Sequence, residues 1–333
     1  MEPTPTTQAD ATAMARGLAR KVMIAALLGG LVFAGLVLYG DVHKLAHAAQ
    51  NFAPGAVALG FTLAAGNYAL RVWRWQYYLH CINVEVPLFE SSVVFLSGFT
   101  MSVTPGKVGE VFKSLLLYES RGVSMVRTAP IVIAERLTDL IALVLLTALG
   151  SLAFEHGVAI AAVGALGVGS LVAIFAYRPL GEFFLRIAER LPVVGKVSPK
   201  LREAYESLLD MVHPSGLLLG SFIATLAWGL ECAALYVIVH GFSGVQLSWD
   251  AAVFAYAAST IAGAVAMMPG GLGVTEAGMT GLLQTLGGST MEPAVATAAT
   301  MLVRLATLWF AVAIGMVALG VYRMLRRRAA AAA

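Results

Sequence analysis

The sequence predicts an all-α polytopic membrane protein with six full transmembrane helices plus two re-entrant helical hairpins broken by Pro-Gly pairs, arranged as inverted repeats. Three observations lead there. Of 333 residues, 59% are hydrophobic and only 12% charged, with mean hydropathy +0.81, far from the composition of a soluble domain. Apolar stretches of crossing length recur along the chain. Finally, Pro105-Gly106-Lys107-Val108-Gly109-Glu110 recurs as Pro269-Gly270-Gly271-Leu272-Gly273, with Glu276 three residues further on. Each copy interrupts an apolar stretch, and broken segments at matching places in two halves point to a transporter-like site between repeats.

Taken in order, residues 1–21 form a polar, Pro- and Thr-rich tail on the cytoplasmic side, with no signal-peptide cleavage pattern after it. A single transmembrane domain covers 22–322. A crossing needs about 20 apolar residues for about 30 Å of hydrocarbon, and Val22–Tyr39, Phe52–Leu70, Ala129–Phe154, Val158–Tyr177, Gly216–Val239 and Val295–Tyr322 qualify. Phe89–Tyr118 and Trp249–Gly287 are each split by a Pro-Gly pair. The segment Phe89–Thr104 would reach only about 24 Å as a helix, so its region reads as a re-entrant hairpin. The second region is either a hairpin or two spans; both return the chain to the same side. Two amphipathic helices follow within 180–212, with stripes Leu180, Phe183, Phe184, Ile187, Leu191 and Leu201, Tyr205, Leu208, Leu209, Val212. They either lie on the anionic inner leaflet or pack under the bundle. Residues 323–333 form a basic cytoplasmic tail.

With the N-terminus in the cytoplasm, 19 of the 22 basic residues fall on that side, among them Arg71, Arg74 and Lys113. Only Lys44 falls outside, and Arg136 and Arg304 lie within the membrane, a strong positive-inside signal. Both termini are then cytoplasmic in a bacterial inner membrane. Repeats at about 52–154 and 216–322, joined by the span at 158–177 and the helices at 180–212, emerge inverted from charge counting alone.

Non-helical backbone at membrane depth is tolerated only where protein buries it or water fills a cavity. The two breaks therefore predict a shielded cavity near the midplane. Half-helices starting near Lys107 and Thr275 would aim free N–H groups at it, as suits a phosphate. Substrate-binding candidates are Arg136, Arg304, Lys107, Gly106, Gly109, Gly270, Gly271 and Gly273. Candidates for proton coupling or a polar site are Glu110, Glu135, Asp139, Glu231 and Glu276, since ionisable residues inside spans are costly. Blander readings stand beside these: Glu110 and Glu276 complement their helix dipoles, and Arg136 pairs with Glu135 and Asp139. Asn67, Arg71, Trp73, Arg74 and Trp75, at the end of the second span, read as an interfacial anchor. No metal or cofactor is expected: Cys81 and Cys232 lie far apart, and His43 and His47 read as a solvated face.

The run Asn67 to Tyr78, Pro105 to Glu110, Glu135-Arg136-Leu137-Thr138-Asp139, and Pro269 to Gly273 with Glu276 resembles the transmembrane region of lysylphosphatidylglycerol synthases, over roughly Val22 to Tyr322. The resemblance implies a flippase-like protein. In two-part members the membrane region moves an aminoacylated phospholipid while a soluble domain performs the aminoacyl transfer. This chain ends at Ala333 without such a domain, so aminoacylation by it alone is not expected. Other stand-alone relatives are linked to polyprenyl-phosphate sugars, so the substrate does not transfer with the fold. The leading expectation is a translocase for an anionic, phosphate-bearing lipid, working without ATP because no G-x-x-x-x-G-K-[ST] is present. The alternatives are a non-transporting partner of lipid-synthesis enzymes and a lipid-modifying enzyme, for which no catalytic motif is found. Expected partners are membrane lipids, and no nucleic acid.

Overall fold

The computed structural model of the chain describes residues 27, 29–50, 52–104, 110–152, 154, isolated positions between 158 and 183, and 198–332. The expected crossing at 158–177, the amphipathic helix at 180–191 and the loop 105–109 lie wholly or largely outside these residues. Helices α1 (Gly29–Gly40) and α2 (Val42–Gln50) precede two runs with the same order of elements. In the first run, α3 (Pro54–Cys81) leads to α4 (Leu88–Ser97), which ends in a 3₁₀ turn, Gly98–Met101. After the break come α5 (Phe112–Arg121), the short α6 (Met125–Thr128) and α7 (Pro130–Ser151). Helix α8 (Ser198–Val212) connects to the second run. There α9 (Pro214–His240) and α10 (Trp249–Val265) precede the turn Pro269–Gly271. Helices α11 (Val274–Leu286) and α12 (Pro293–Arg304) follow, and a π turn, Leu305–Trp309, joins α12 to α13 (Phe310–Ala332).

Among the described residues the structure is all-α, apart from an isolated antiparallel bridge between Phe52 and Phe242. Among the described residues, two helical stretches are long and apolar enough on composition alone to cross a membrane, Pro214–His240 and Pro293–Ala331. Helices α3 and α7, 28 and 22 residues long, have the length. They also carry Arg71 and Arg74, and Glu135 and Asp139, which the bundle buries, and Arg136, which it half-buries. The four half-helices are shorter: α10, with 17 residues, rises about 26 Å. Proline sits in the first turn of α3, α7, α9 and α12, where its missing N–H costs nothing.

Helices α3 and α9 run antiparallel, and their register is internally symmetric. Phe52 stacks on Phe242, 4.7 Å between ring centroids, and Ala53 N–H donates to Gly241 O at 2.8 Å. Midway, the Asn67 side chain donates to Ala227 O at 2.8 Å; each of these residues is the thirteenth after its helix-opening proline. A Cβ at Gly60 would meet Ile238, and one at Gly220, Gly60's counterpart, would meet Tyr78, Ile238's counterpart.

Three sequence expectations change here. The helix of the second apolar segment does not end at Leu70: α3 continues to Cys81, because Ala64, Asn67, Arg71, Arg74 and Tyr78 extend one buried stripe at helical spacing. The interfacial-anchor reading survives only for exposed Trp73; Asn67, Arg71, Arg74 and Trp75 are buried. Third, Arg71, Arg74 and Lys113 are bundle residues and leave the count of loop cations, reducing nineteen to sixteen. In the second connector helix, Leu208, Met211 and Val212 pack into the core beside Leu79, Ile82 and Ile131, so that apolar stripe is spent on the bundle. The tail from Arg323 continues α13 as helix.

Candidate functional site

A cavity of about 360 Å³ lies where the two packed clusters of the core meet. Tyr68, Phe99 and Ala311 come from one cluster, and Leu143, Trp228 and Tyr256 border the other. Three arginines, Arg71, Arg136 and Arg304, and three carboxylates, Glu110, Asp139 and Glu231, line it. Helices α3, α7, α9 and α12 deliver five of these six, and Glu110 stands beside the first break.

On the first side, Asp139 is the hub. Its carboxylate lies 2.8 Å from Arg74 Nη2, 2.9 Å from Arg136 Nη2 and 3.9 Å from Arg71 Nη2. Arg136 also donates to Glu110 Oε2 at 3.0 Å, bridging the break to α7. Behind this, Arg74 Nη1 donates to Thr138 Oγ1 at 3.1 Å. Lys113 pairs with Glu135, its ammonium 4.6 Å from the Trp75 ring centroid and 4.8 Å from that of Phe95. Buried charges of this kind persist only when paired and hydrogen-bonded.

On the second side, Arg304 Nε donates to Glu276 Oε1 at 2.6 Å and Nη2 to Gly270 O at 2.7 Å. Glu276 Oε2 accepts from Gly273 N–H at 2.6 Å, so the carboxylate of α11's third residue caps its own helix. Backbone at Met267, Gly270, Gly271 and Gly273 has positive φ; glycine meets that demand at three of the four, and Met267 is the strained exception. Tyr256 donates its hydroxyl to Glu231. Past Arg304, the π turn exposes the Thr307 carbonyl, which accepts from Tyr68 OH at 2.6 Å.

Of the residues singled out from sequence, Arg136, Arg304, Glu110, Asp139, Glu231, Gly270 and Gly271 come together at the cavity. Gly273 and fully buried Glu276 support its wall from behind. Glu135 is committed to Lys113, away from the lining. Gly106, Lys107 and Gly109 lie outside the described residues. Two expectations are corrected. The arginines named as substrate-binding candidates are not free cations, since each already holds a carboxylate and the lining is formally balanced. The α11 N-terminus is not free for a ligand, because Glu276 caps it, and Glu110 stands before α5 instead of in its first turn.

Sequence reasoning missed Arg71, Arg74, Lys113, Tyr68 and Tyr256. A signal for Arg71 existed: it is the seventeenth residue after Pro54, as Glu231 is after Pro214. The two repeats thus place opposite charges at equivalent positions of their central helices.

Helices throughout the described residues and a charged interior define an all-α membrane protein. The family described as the lysylphosphatidylglycerol synthase TM region matches residues 23–315, and this chain belongs to it. Curated relatives are named UPF0104 membrane proteins. One from Methanothermobacter thermautotrophicus is 25% identical over 326 residues, covering 90% of this chain and 95% of its own. One from Pyrococcus horikoshii is 25% identical over 280 residues, covering 73% and 81%.

Proposed function

We propose that this protein is a lipid translocase of a bacterial inner membrane, moving a phosphate-bearing lipid between leaflets without ATP and without covalent change to the lipid. One observation carries the reading. The charged cavity shares its rim with Ala264, Val265, Met267 and Met268, and the last three are 76%, 61% and 43% exposed. An apolar, exposed lip on a charged cavity suits a lipid, whose head enters while its chains stay in hydrocarbon. A soluble solute would need no such lip.

The topology proposed is six crossings plus two half-crossing hairpins related by inversion, with both termini cytoplasmic. Support comes from the α3–α9 crossing at equivalent residues and from the sixteen loop cations. Arg136, its side chain 27% exposed against 9% for Arg304, is the accessible cation. An entering phosphate competes with Glu110 and Asp139 for Arg136, and the displaced carboxylate becomes the group able to take up a proton. Arg304 is more deeply committed and keeps the second break folded against α12.

Lipid movement in proteoliposomes tests this. With labelled phosphatidylglycerol, an aminoacylated analogue and a polyprenyl phosphate, one lipid should cross faster than in empty liposomes. Arg136→Gln should slow it at least about tenfold, the loss of one charge-assisted contact of about 1.5–3 kcal/mol. Wild-type rates equal to empty liposomes for all three, with and without a proton gradient, would remove the translocase reading.

A further inference from the structure

Outside the charged cavity, the described surface carries an apolar groove of about 570 Å³ between α3, α4 and α13. Ala65, Ala69 and Val72 of α3, Leu88 and Leu96 of α4, and Ile314 of α13 line it. Its inner end is closed by Tyr68, which also lines the charged cavity. The Tyr68 ring is wedged against Phe99 at 5.0 Å and Phe310 at 5.8 Å between centroids. At its outer end, Trp73 and Gln76 are shared with a polar notch lined by His80 and Glu85. From Ala65 to Gln76 the helix rises about 17 Å, close to the half-thickness of a hydrocarbon core of about 30 Å. One wall therefore reaches about the depth of one leaflet, apolar along its length and polar at its outer end.

Gln76 adds an independent mark. Its amide nitrogen donates to Val86 O at 2.9 Å, while its buried Oε1 accepts from no group among the described residues. A buried acceptor left without a donor is costly, and this one sits where groove and notch join. A lipid standing in its leaflet satisfies all three features. One acyl chain lies along α3 and α4, and a hydroxyl or ammonium of the head region donates to Gln76.

We propose that this groove and notch form a loading site, where the lipid is held upright beside Tyr68 before its head passes to the charged cavity. This rests on the translocase reading for its purpose, not for its occupancy. Tyr68 is the partition between the two compartments, held by its bond to the Thr307 carbonyl at the π turn.

The test uses the full chain in proteoliposomes containing phosphatidylglycerol with a diazirine near the end of one acyl chain. After irradiation, labelled residues are mapped by mass spectrometry. Labelling should concentrate on the groove faces of α3 and α4, about tenfold above the exposed α9 face at Leu218 and Phe222. Ala69 is exposed, so Ala69→Trp should fill the groove without opening the core and cut that labelling about tenfold. Gln76→Leu, which leaves the groove open, should cut it about fivefold, as expected for one lost hydrogen bond. Equal labelling of groove and α9, or labelling unchanged in Ala69→Trp, overturns the proposal. Should the groove be labelled as expected while no lipid crosses, the loading site stands and the translocase reading falls. Should lipid cross at the wild-type rate in Ala69→Trp with no enrichment in the groove, the loading site alone falls.

Discussion

The fully buried pair Lys113–Glu135 and the half-open pair Arg136–Glu110 look alike in the sequence, yet their surroundings give them different work. Lys113 is packed between Trp75 and Phe95, and Glu135 is 1% exposed. Neither faces the cavity. Breaking such a pair leaves an uncompensated buried charge, whereas removing both charges together is often neutral. Lys113→Met is therefore expected to cost about 3–5 kcal/mol, read as a lower unfolding midpoint in detergent, and Lys113→Met/Glu135→Leu should recover most of it. A double variant no more stable than the single would mean that Glu135 has a further obligation near the cavity. These roles were only half legible in sequence. Arg136 and Arg304 stand out because each lies within a long, mainly apolar segment. Lys113, Arg71 and Arg74 lie among polar and aromatic neighbours and read as loop or interface cations until burial is seen.

Among the elements, each run's last helix meets the opposite run's first half-helix through a glycine. A Cβ at Gly150 of α7 would lie 2.7 Å from Phe254 N and 2.8 Å from Asp250 O, in α10. A Cβ at Gly315 of α13 would lie 2.6 Å from Thr100 N and 2.9 Å from Phe99 C, in the turn after α4. In both cases the obstacle is backbone, which cannot swing aside as a flexible side chain would. Gly150→Ala and Gly315→Ala are each expected to destabilise by about 1–3 kcal/mol, the usual range for overpacking, and being far apart in sequence and contacts they should add in the double variant. Thermal denaturation in detergent checks this; a neutral Gly315→Ala would show that α4 and α13 slide apart readily. Periodicity and the Pro-Gly motif were enough to find these helices. The end of α3 and the π turn at Leu305–Trp309 were not legible, since the first depends on buried partners for arginine and the second on one extra residue per turn.

On the scale of the whole molecule, the pattern is a pseudo-two-fold one. In a two-fold relation, a contact between two positions recurs between their counterparts, and the pairs Gly60 with Ile238 and Gly220 with Tyr78 satisfy this. The axis passes where Asn67 meets Ala227. The pairs Arg136–Glu110 and Arg304–Glu276 keep the symmetry, and it breaks where Arg71 faces the cavity from one run and Glu231 from the other. The two halves are thus built alike but present different charges to the cavity. If the repeats are inverted across the bilayer, the turn after α3 and the equivalent turn after α9 lie on opposite sides. Glu85 and Gln246 are both exposed in those turns, and Cys81 and Cys232 can be replaced beforehand by alanine. A membrane-impermeant maleimide should then label Glu85→Cys only from the cytoplasmic side and Gln246→Cys only from the other. Labelling of both from one side would end the inverted-repeat reading. Labelling from opposite sides in the reverse sense would keep the inversion but place the sixteen loop cations outside, against the charge bias that orients membrane helices. The first outcome also sets the side from which the α3–α4 groove loads, because its polar notch at His80 and Glu85 is the same turn.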